Sequence, residues 1–207
     1  MNSVIKPMTE NSRNPHQTTT QTLVALYCGS RAGHHPRYRE SAIQLAQHIA
    51  EANFGIVYGG ASIGLMGQVA DTVIEYGGET VGVIPEFMLD YEIAHPNLTE
   101  LHIVKSMHER KNLMADRASA FVALPGGLGT FEEILEIATW AQLERHQKPM
   151  MLYNVNGFYN HLIAQLDHAT TEGFLPPEHR AKLLVCDHLN QVMDVIQALN
   201  TPAEAEL

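Results

Sequence analysis

From residue 22 onward, short runs that are apolar throughout alternate with stretches whose apolar residues recur at helical spacing. "TLVALYCGS" (22–30) is such a run, halted by Gly29 and Ser30, and it predicts a buried strand. In "RYRESAIQLAQHIAEANF" (37–54), Ile43, Leu45, Ala46, Ile49 and Ala50 gather on one helical face. "GIVYGG" (55–60) predicts a second strand, and "LMGQVADTVIEYGG" (65–78) a helix ended by Gly77 and Gly78. "TVGVIP" (80–85) and "LHIVKS" (101–106) predict two more strands, the latter followed by the helix "MHERKNLMADRAS" (107–119). "AFVALPGG" (120–127) precedes the helix "TFEEILEIATWAQLERH" (130–146), and "PMMLYN" (149–154) precedes "FYNHLIAQLDHATTEG" (158–173). The last pair is "LLVCD" (183–187) and "NQVMDVIQALN" (190–200).

Strands that are apolar on both faces, separated by amphipathic helices, imply a parallel sheet covered on both sides. Right-handed crossovers then predict a single-domain, Rossmann-like, doubly wound α/β sheet of about seven strands with helices on both faces. No repeat or shift in composition divides residues 22–200, which are expected to form one domain. Residues 1–21 are polar, with Asn, Pro and a threonine run; they predict a disordered leader without the apolar centre of a signal peptide. Residues 201–207 form a short acidic tail.

Composition narrows the function classes. A formal net charge of −10 argues against a nucleic-acid binder, which needs a basic stripe, but leaves room for a local anion site. No apolar stretch approaches the ~20 residues that span a bilayer. The two cysteines, Cys28 and Cys186, form no disulfide framework or C-x-x-C pattern, and a cytoplasmic setting is expected. The twelve histidines are scattered, and the adjacent His34 and His35 lack the spacing that chelates from a helix, so no metal site is expected.

Three glycine-rich signals fall where predicted strands end: Gly29 with Ser30, then Gly59, Gly60 and Gly64, then Pro125, Gly126, Gly127, Leu128, Gly129 and Thr130. In a parallel sheet these ends share one edge, where backbone N–H groups and a helix N-terminus converge on an anion. None is a dinucleotide fingerprint with its ribose-binding carboxylate, and no G-x-x-x-x-G-K-[ST] loop occurs. A mononucleotide or sugar phosphate therefore fits better than NAD or ATP. The third signal runs into Glu132 and Glu133, two charges that a phosphate site by itself does not explain.

"MHERK" (107–111) joined to "ALPGGLGTFEE" (123–133) resembles the LONELY GUY family, the cytokinin riboside 5′-monophosphate phosphoribohydrolases. That family's signature is P-G-G-x-G-T-x-x-E preceded by M-x-x-R-K, and the likeness extends from residue 23 to about 199. The resemblance implies hydrolysis of a nucleoside 5′-monophosphate at its N-glycosidic bond, releasing an N6-modified adenine, with no cofactor and with a homodimeric assembly. It implies Arg110 and Glu133 as the catalytic pair. Substrate contacts would come from Glu92, Lys111, Thr139 and the stretch 127–133, with Met107 beside them. On this view the glycines and Thr130 hold the phosphate, while Glu133, a helical turn further on, faces the ribose and its cationic transition state. Glu132 would compensate the dipole of the helix's first turn. Two alternatives stay open: a nucleosidase acting mainly on AMP or other ordinary nucleotides, and a non-catalytic nucleotide carrier. Similar proteins carry a lysine decarboxylase label, but pyridoxal phosphate chemistry needs a Schiff-base lysine with partners for the ring nitrogen, and Lys111 lies instead among phosphate-loop residues.

Overall fold

A computed structural model describes residues 21–89 and 93–200. The expectations for the leader up to residue 20, the acidic tail and Glu92 lie outside the described residues. Gln21, assigned by sequence to the leader's end, is tied down: its backbone N–H donates to Glu79 Oε2 (3.0 Å) and its amide Nε2 to Asn53 Oδ1 (2.9 Å).

Seven strands form one parallel sheet: β1 (Leu23–Tyr27), β2 (Gly55–Tyr58), β3 (Thr80–Pro85), β4 (Glu100–Val104), β5 (Ala118–Ala123), β6 (Met150–Tyr153) and β7 (Leu183–Cys186). Their order is β4-β3-β2-β1-β5-β6-β7. The period of two along β1 sends Val24 and Leu26 into one core, and Leu23, Ala25 and Tyr27 into the other. Helices α1 (Pro36–Glu51) and α2 (Gly64–Glu75) cover the first face, together with α7 (Leu189–Gln197). Helices α3 (Met107–Arg117), α4 (Leu128–Gln142) and α5 (Asn160–Thr171) cover the second. The α6 turn (Pro177–Arg180) was not expected from sequence, being too short to show a period. Among its described residues the connection from β3 to β4 carries a 3₁₀ turn (Glu86–Met88) and an isolated bridge of Ala94 to Ala61, and Leu101 and Ile103 of edge strand β4 stay exposed.

Four helices end in the same way, with a residue in the left-handed region and paired 6→1 and 5→2 backbone bonds. Asn53, Gly77 and Gly173 occupy that position after α1, α2 and α5 (φ 62, 78 and 78°). Glu144 occupies it after α4 (φ 58°), with Arg145 N donating to Trp140 O (2.9 Å) and Glu144 N to Ala141 O (3.2 Å). A side chain with a Cβ is strained there by roughly 1–2 kcal/mol, partly offset by glycine's greater freedom when unfolded. Glu144→Gly should therefore raise Tm by about 1–4 °C in a calorimetric scan. A lower Tm would show that Glu144 makes compensating contacts.

Candidate active site

The strand order reverses between β1 and β5: β1 to β4 wind outward on one side, β5 to β7 on the other. A crevice at the carboxyl ends of such strands is where this architecture binds ligands. Here the segments leaving β1 and β5 are pinned together, since Leu124 N donates to Tyr27 O (2.9 Å) and Gly29 N to Pro125 O (3.1 Å).

Helix capping differs around this crevice. His35 caps α1 by accepting from Arg37 N, and Ser106 caps α3 by accepting from Glu109 N. At α2 and α4 the N-cap residues, Ile63 and Gly127, supply no side-chain bond. The backbone N–H of Leu65 is taken by Gly29 O (3.0 Å), which leaves α4 as the open helix start. Its first N–H groups, on Leu128, Gly129 and Thr130, stand without a capping side chain where the dipole favours an anion. Gly127, Leu128 and Gly129 are exposed, whereas Thr130 is buried.

A cavity of about 230 Å³ opens beside that helix start, lined by Cys28, Gly29, Ser30, Gly59, Met66, Met88, Met107, Arg110, Gly127, Leu128, Gly129, Thr130 and Glu133. Two of these are charged and nearly sealed from solvent: Arg110 is 5% and Glu133 7% exposed. Arg110 Nη2 lies 3.5 Å from Glu133 Oε1, and Arg110 Nη1 donates to Met88 Sδ (3.3 Å). Arg110 Nε is buried and has no hydrogen-bond partner among the described residues. An orphan buried N–H costs on the order of 1–3 kcal/mol, a penalty that an oxygen-rich ligand would relieve. Gly59 makes room for the guanidinium, because a Cβ there would run into Arg110 Nη2.

Burial and the Glu133 carboxylate together act on the neighbouring acids. Burial, and then the negative charge of Glu133, push the Cys28 thiol far above its ordinary range, with Arg110 opposing. Burial, then Glu133 and Glu136, do the same to the Tyr27 hydroxyl. Both groups stay neutral, so Cys28 is no thiolate nucleophile.

Other expected site residues lie elsewhere. Gly60 and Gly64 are not in the cavity wall. Gly60 O accepts from His95 N (2.9 Å), and Gly64 (φ 61°) lets α2 begin hard against the backbone of Ser30. Pro125 and Gly126 line an adjoining cavity of about 410 Å³ with Arg31, Tyr38, Leu65 and Phe158; it shares Gly29, Ser30 and Gly127 with the first. Thr139 is exposed, its hydroxyl donating to Leu135 O (2.8 Å).

Lys111 does not line the cavity that holds Arg110; it pairs with Glu132 and Glu136, its Nζ 2.9 Å from Glu136 Oε2. Burial by itself would lower its pKa, but the hydrogen bonds from the two carboxylates outweigh this and raise it. The first-turn reading of Glu132 is corrected: α4 begins at Leu128 rather than Thr130, so Glu132 falls beyond the first turn and pairs with Lys111. Sequence reasoning missed Met88, which has no motif around it, and Glu136, whose signal was its i, i+4 spacing from Glu132.

The family model described as possible lysine decarboxylase matches residues 66–196. The chain is 40% identical over 195 residues to the cytokinin riboside 5′-monophosphate phosphoribohydrolase of Rhodococcoides fascians, covering 94% of this chain and 98% of that one. It is 47% identical over 157 residues to an Arabidopsis thaliana protein of the same name, covering 76% and 72% of the two chains. Among solved structures, the molybdenum cofactor binding protein of Rippkaea orientalis superposes with a TM-score of 0.66 over 89% of this chain and the whole of that one. At 18% identity that likeness speaks for the fold alone. With the signature residues gathered at the switch point of the sheet and relatives matched over most of their length, the chain belongs to the LONELY GUY family of cytokinin riboside 5′-monophosphate phosphoribohydrolases.

Proposed function

We propose that the protein hydrolyses the N-glycosidic bond of a cytokinin riboside 5′-monophosphate, releasing an N6-modified adenine and ribose 5-phosphate. The observation that carries this reading is the buried Arg110–Glu133 pair one helical turn from the uncapped start of α4. The N–H groups of Leu128, Gly129 and Thr130 hold the 5′-phosphate, and Thr130 adds its hydroxyl. As the C1′–N bond breaks, the ribose gains oxocarbenium character, and Glu133 stabilises that charge and orients the attacking water. The water oxygen ends on C1′, and the departing base takes up a proton. A guanidinium is too weak an acid to supply that proton; Arg110, in the cavity wall beside Glu133, holds ribose or phosphate oxygens.

Amino-acid decarboxylation is a poor fit. A Schiff-base lysine must lose its proton, and Lys111 is held charged between two carboxylates. The test is a panel of nucleotides, including a cytokinin ribotide and AMP, with chromatography of the released base. Base release from the ribotide supports the reading. Faster release from AMP would move the enzyme to ordinary nucleotides, and release from none would make it a binding protein.

The active form in this reading is a homodimer in the cytoplasm. The two cysteines are buried free thiols, which suits a reducing compartment. Among the described residues no helix is long and apolar enough to cross a membrane. Helix α4 leaves apolar surface uncovered: Leu128 is 85% exposed, and Phe131, Leu135, Ala138 and Trp140 are half-buried. Thr139, nine residues past Thr130, lies about 13 Å along the helix from its own site. A second copy packed along α4 would cover the apolar face and present Thr139 to the neighbouring cavity. Light scattering at micromolar concentration should give twice the chain mass of 23.0 kDa. A monomer would refute the assembly.

A further inference from the structure

Leu124 stands just before the glycine loop, one position past the pairing of β5 with β6, which ends at Ala123 and Leu152. Its N–H is held by Tyr27 O of β1 (2.9 Å), and its carbonyl accepts from the Tyr159 hydroxyl (2.6 Å). Tyr159 is fully buried just ahead of α5, and its ring also meets the edge of Phe131 in the first turn of α4, with centroids 6.1 Å apart. One side chain thus touches both ends of the turn 125–130, the root by its hydroxyl and the helix start by its ring. The turn between them has no slack, since a Cβ on Gly126 would run into Thr130 Oγ1 and Gly29 N.

Polar groups in turn fix Tyr159. Its N–H donates to Asn154 Oδ1 (2.7 Å), and Asn154 Nδ2 donates to Asn160 Oδ1 and Asp187 Oδ1 (2.9 Å each). Asn154 and Asp187 directly follow β6 and β7, so the chain of bonds crosses the carboxyl ends of three strands before it reaches the loop. Burial pushes the Tyr159 hydroxyl far above its ordinary range and keeps it a donor. A buried hydroxyl costs free energy unless it is paired, and a phenyl ring would fill the same space without one. What the hydroxyl adds is its hold on Leu124.

We infer that Tyr159 is a positioning residue for the phosphate anchor: its hydroxyl and ring fix the turn from Leu124 to Phe131, so that the N–H groups of Leu128, Gly129 and Thr130 converge on one anion. This rests on the reading of that helix start as the 5′-phosphate site. Tyr159 lines neither cavity at this edge of the sheet, so it acts through the turn and not on the substrate. Without the hydroxyl, Leu124 O is left buried and loses its bond, and the root of the turn shifts to find another donor. Packing against Gly29 and Thr130 passes that shift on to the start of α4.

The experiment compares the wild type with Tyr159→Phe and Phe131→Leu in the full chain. It measures ribose 5-phosphate binding by calorimetry, KM for the ribotide that the wild type cleaves, inhibition by the matching riboside, and Tm. Tyr159→Phe should bind ribose 5-phosphate ~10-fold more weakly, the worth of one hydrogen bond to a charged group, and KM should rise to match. Inhibition by the riboside, which carries no phosphate, should stay at the wild-type value. Phe131→Leu keeps an apolar side chain but removes the ring contact, and should weaken ribose 5-phosphate by ~3-fold or more. Unchanged ribose 5-phosphate affinity in Tyr159→Phe, even with a lower Tm, would reduce the hydroxyl to a partner for a buried carbonyl and overturn the inference. Equal weakening of riboside and ribose 5-phosphate would overturn it as well, since the whole site would then have loosened. If Tyr159→Phe proves unfolded by thermal melting, Phe131→Leu decides by the same criteria. A wild-type protein that binds no ribose 5-phosphate sinks the phosphate reading itself, and is told apart because no substitution is involved.

Discussion

Glu133→Gln lowers kcat by ~10²-fold or more while nucleotide binding stays within a few-fold of wild type. The substitution keeps the shape of the side chain and one acceptor oxygen, replaces the other oxygen by an NH2 donor, and removes the charge. That charge matters little to a neutral ribose in the ground state and most when C1′ becomes cationic, so its loss falls on turnover rather than on binding. The site magnifies the effect, because Glu133 is 7% exposed and its field is poorly screened. The same field already acts on its surroundings, where it helps to push the Tyr27 hydroxyl and the Cys28 thiol upward. Breaking a buried ion pair also destabilises, since Arg110 keeps its charge. Circular dichroism must therefore show a folded variant before the kinetics are read. Near-normal turnover in a folded Glu133→Gln protein would remove the carboxylate from the mechanism.

Much of this was legible from apolar patterning. Strands buried on both faces carry no polar residue to blur the signal, and "LVALY", "GIVY" and "MMLY" fold as read. Strand β4 is legible for a different reason: it is an edge strand whose Glu100 and His102 alternate with Leu101 and Ile103. What patterning could not give is direction. The start of α4 at Leu128 overrides the low helix propensity of Gly129, because the chain must turn at Gly127 as it leaves β5. Lys111 shows the same limit from the other side. Its position one residue from Arg110 brings it near the glycine loop in sequence, but the helical rotation between the two carries it to Glu132 and Glu136. Linear spacing records which residues are close, and the partner helix decides where each one points. The backbone roles of Gly60 and Gly64 escape sequence reasoning likewise, since a glycine that receives a phosphate and one that admits a crossing chain look alike in one dimension.

Removing the 5′-phosphate from the substrate should cost ~10³-fold or more in kcat/KM. The open N–H groups of Leu128, Gly129 and Thr130 and the buried Thr130 side chain are surplus to an enzyme that recognises only base and ribose. They make sense as an anchor whose binding free energy holds C1′ against Glu133, about one helical turn away. Hydrogen bonds to a charged group contribute roughly 1.5–3 kcal/mol each, and a nucleoside forfeits at least two of them. The anchor in this reading is mostly backbone and helix dipole, set by the turn from β5 into α4. The measurement pairs AMP with adenosine, and a cytokinin ribotide with its riboside, under identical conditions. Inorganic phosphate and ribose 5-phosphate should compete with the ribotide, and free ribose should not. Comparable rates with and without the phosphate would mean that the glycine loop serves only to turn the chain from β5 into α4. The anion site at that helix start would then have to be abandoned.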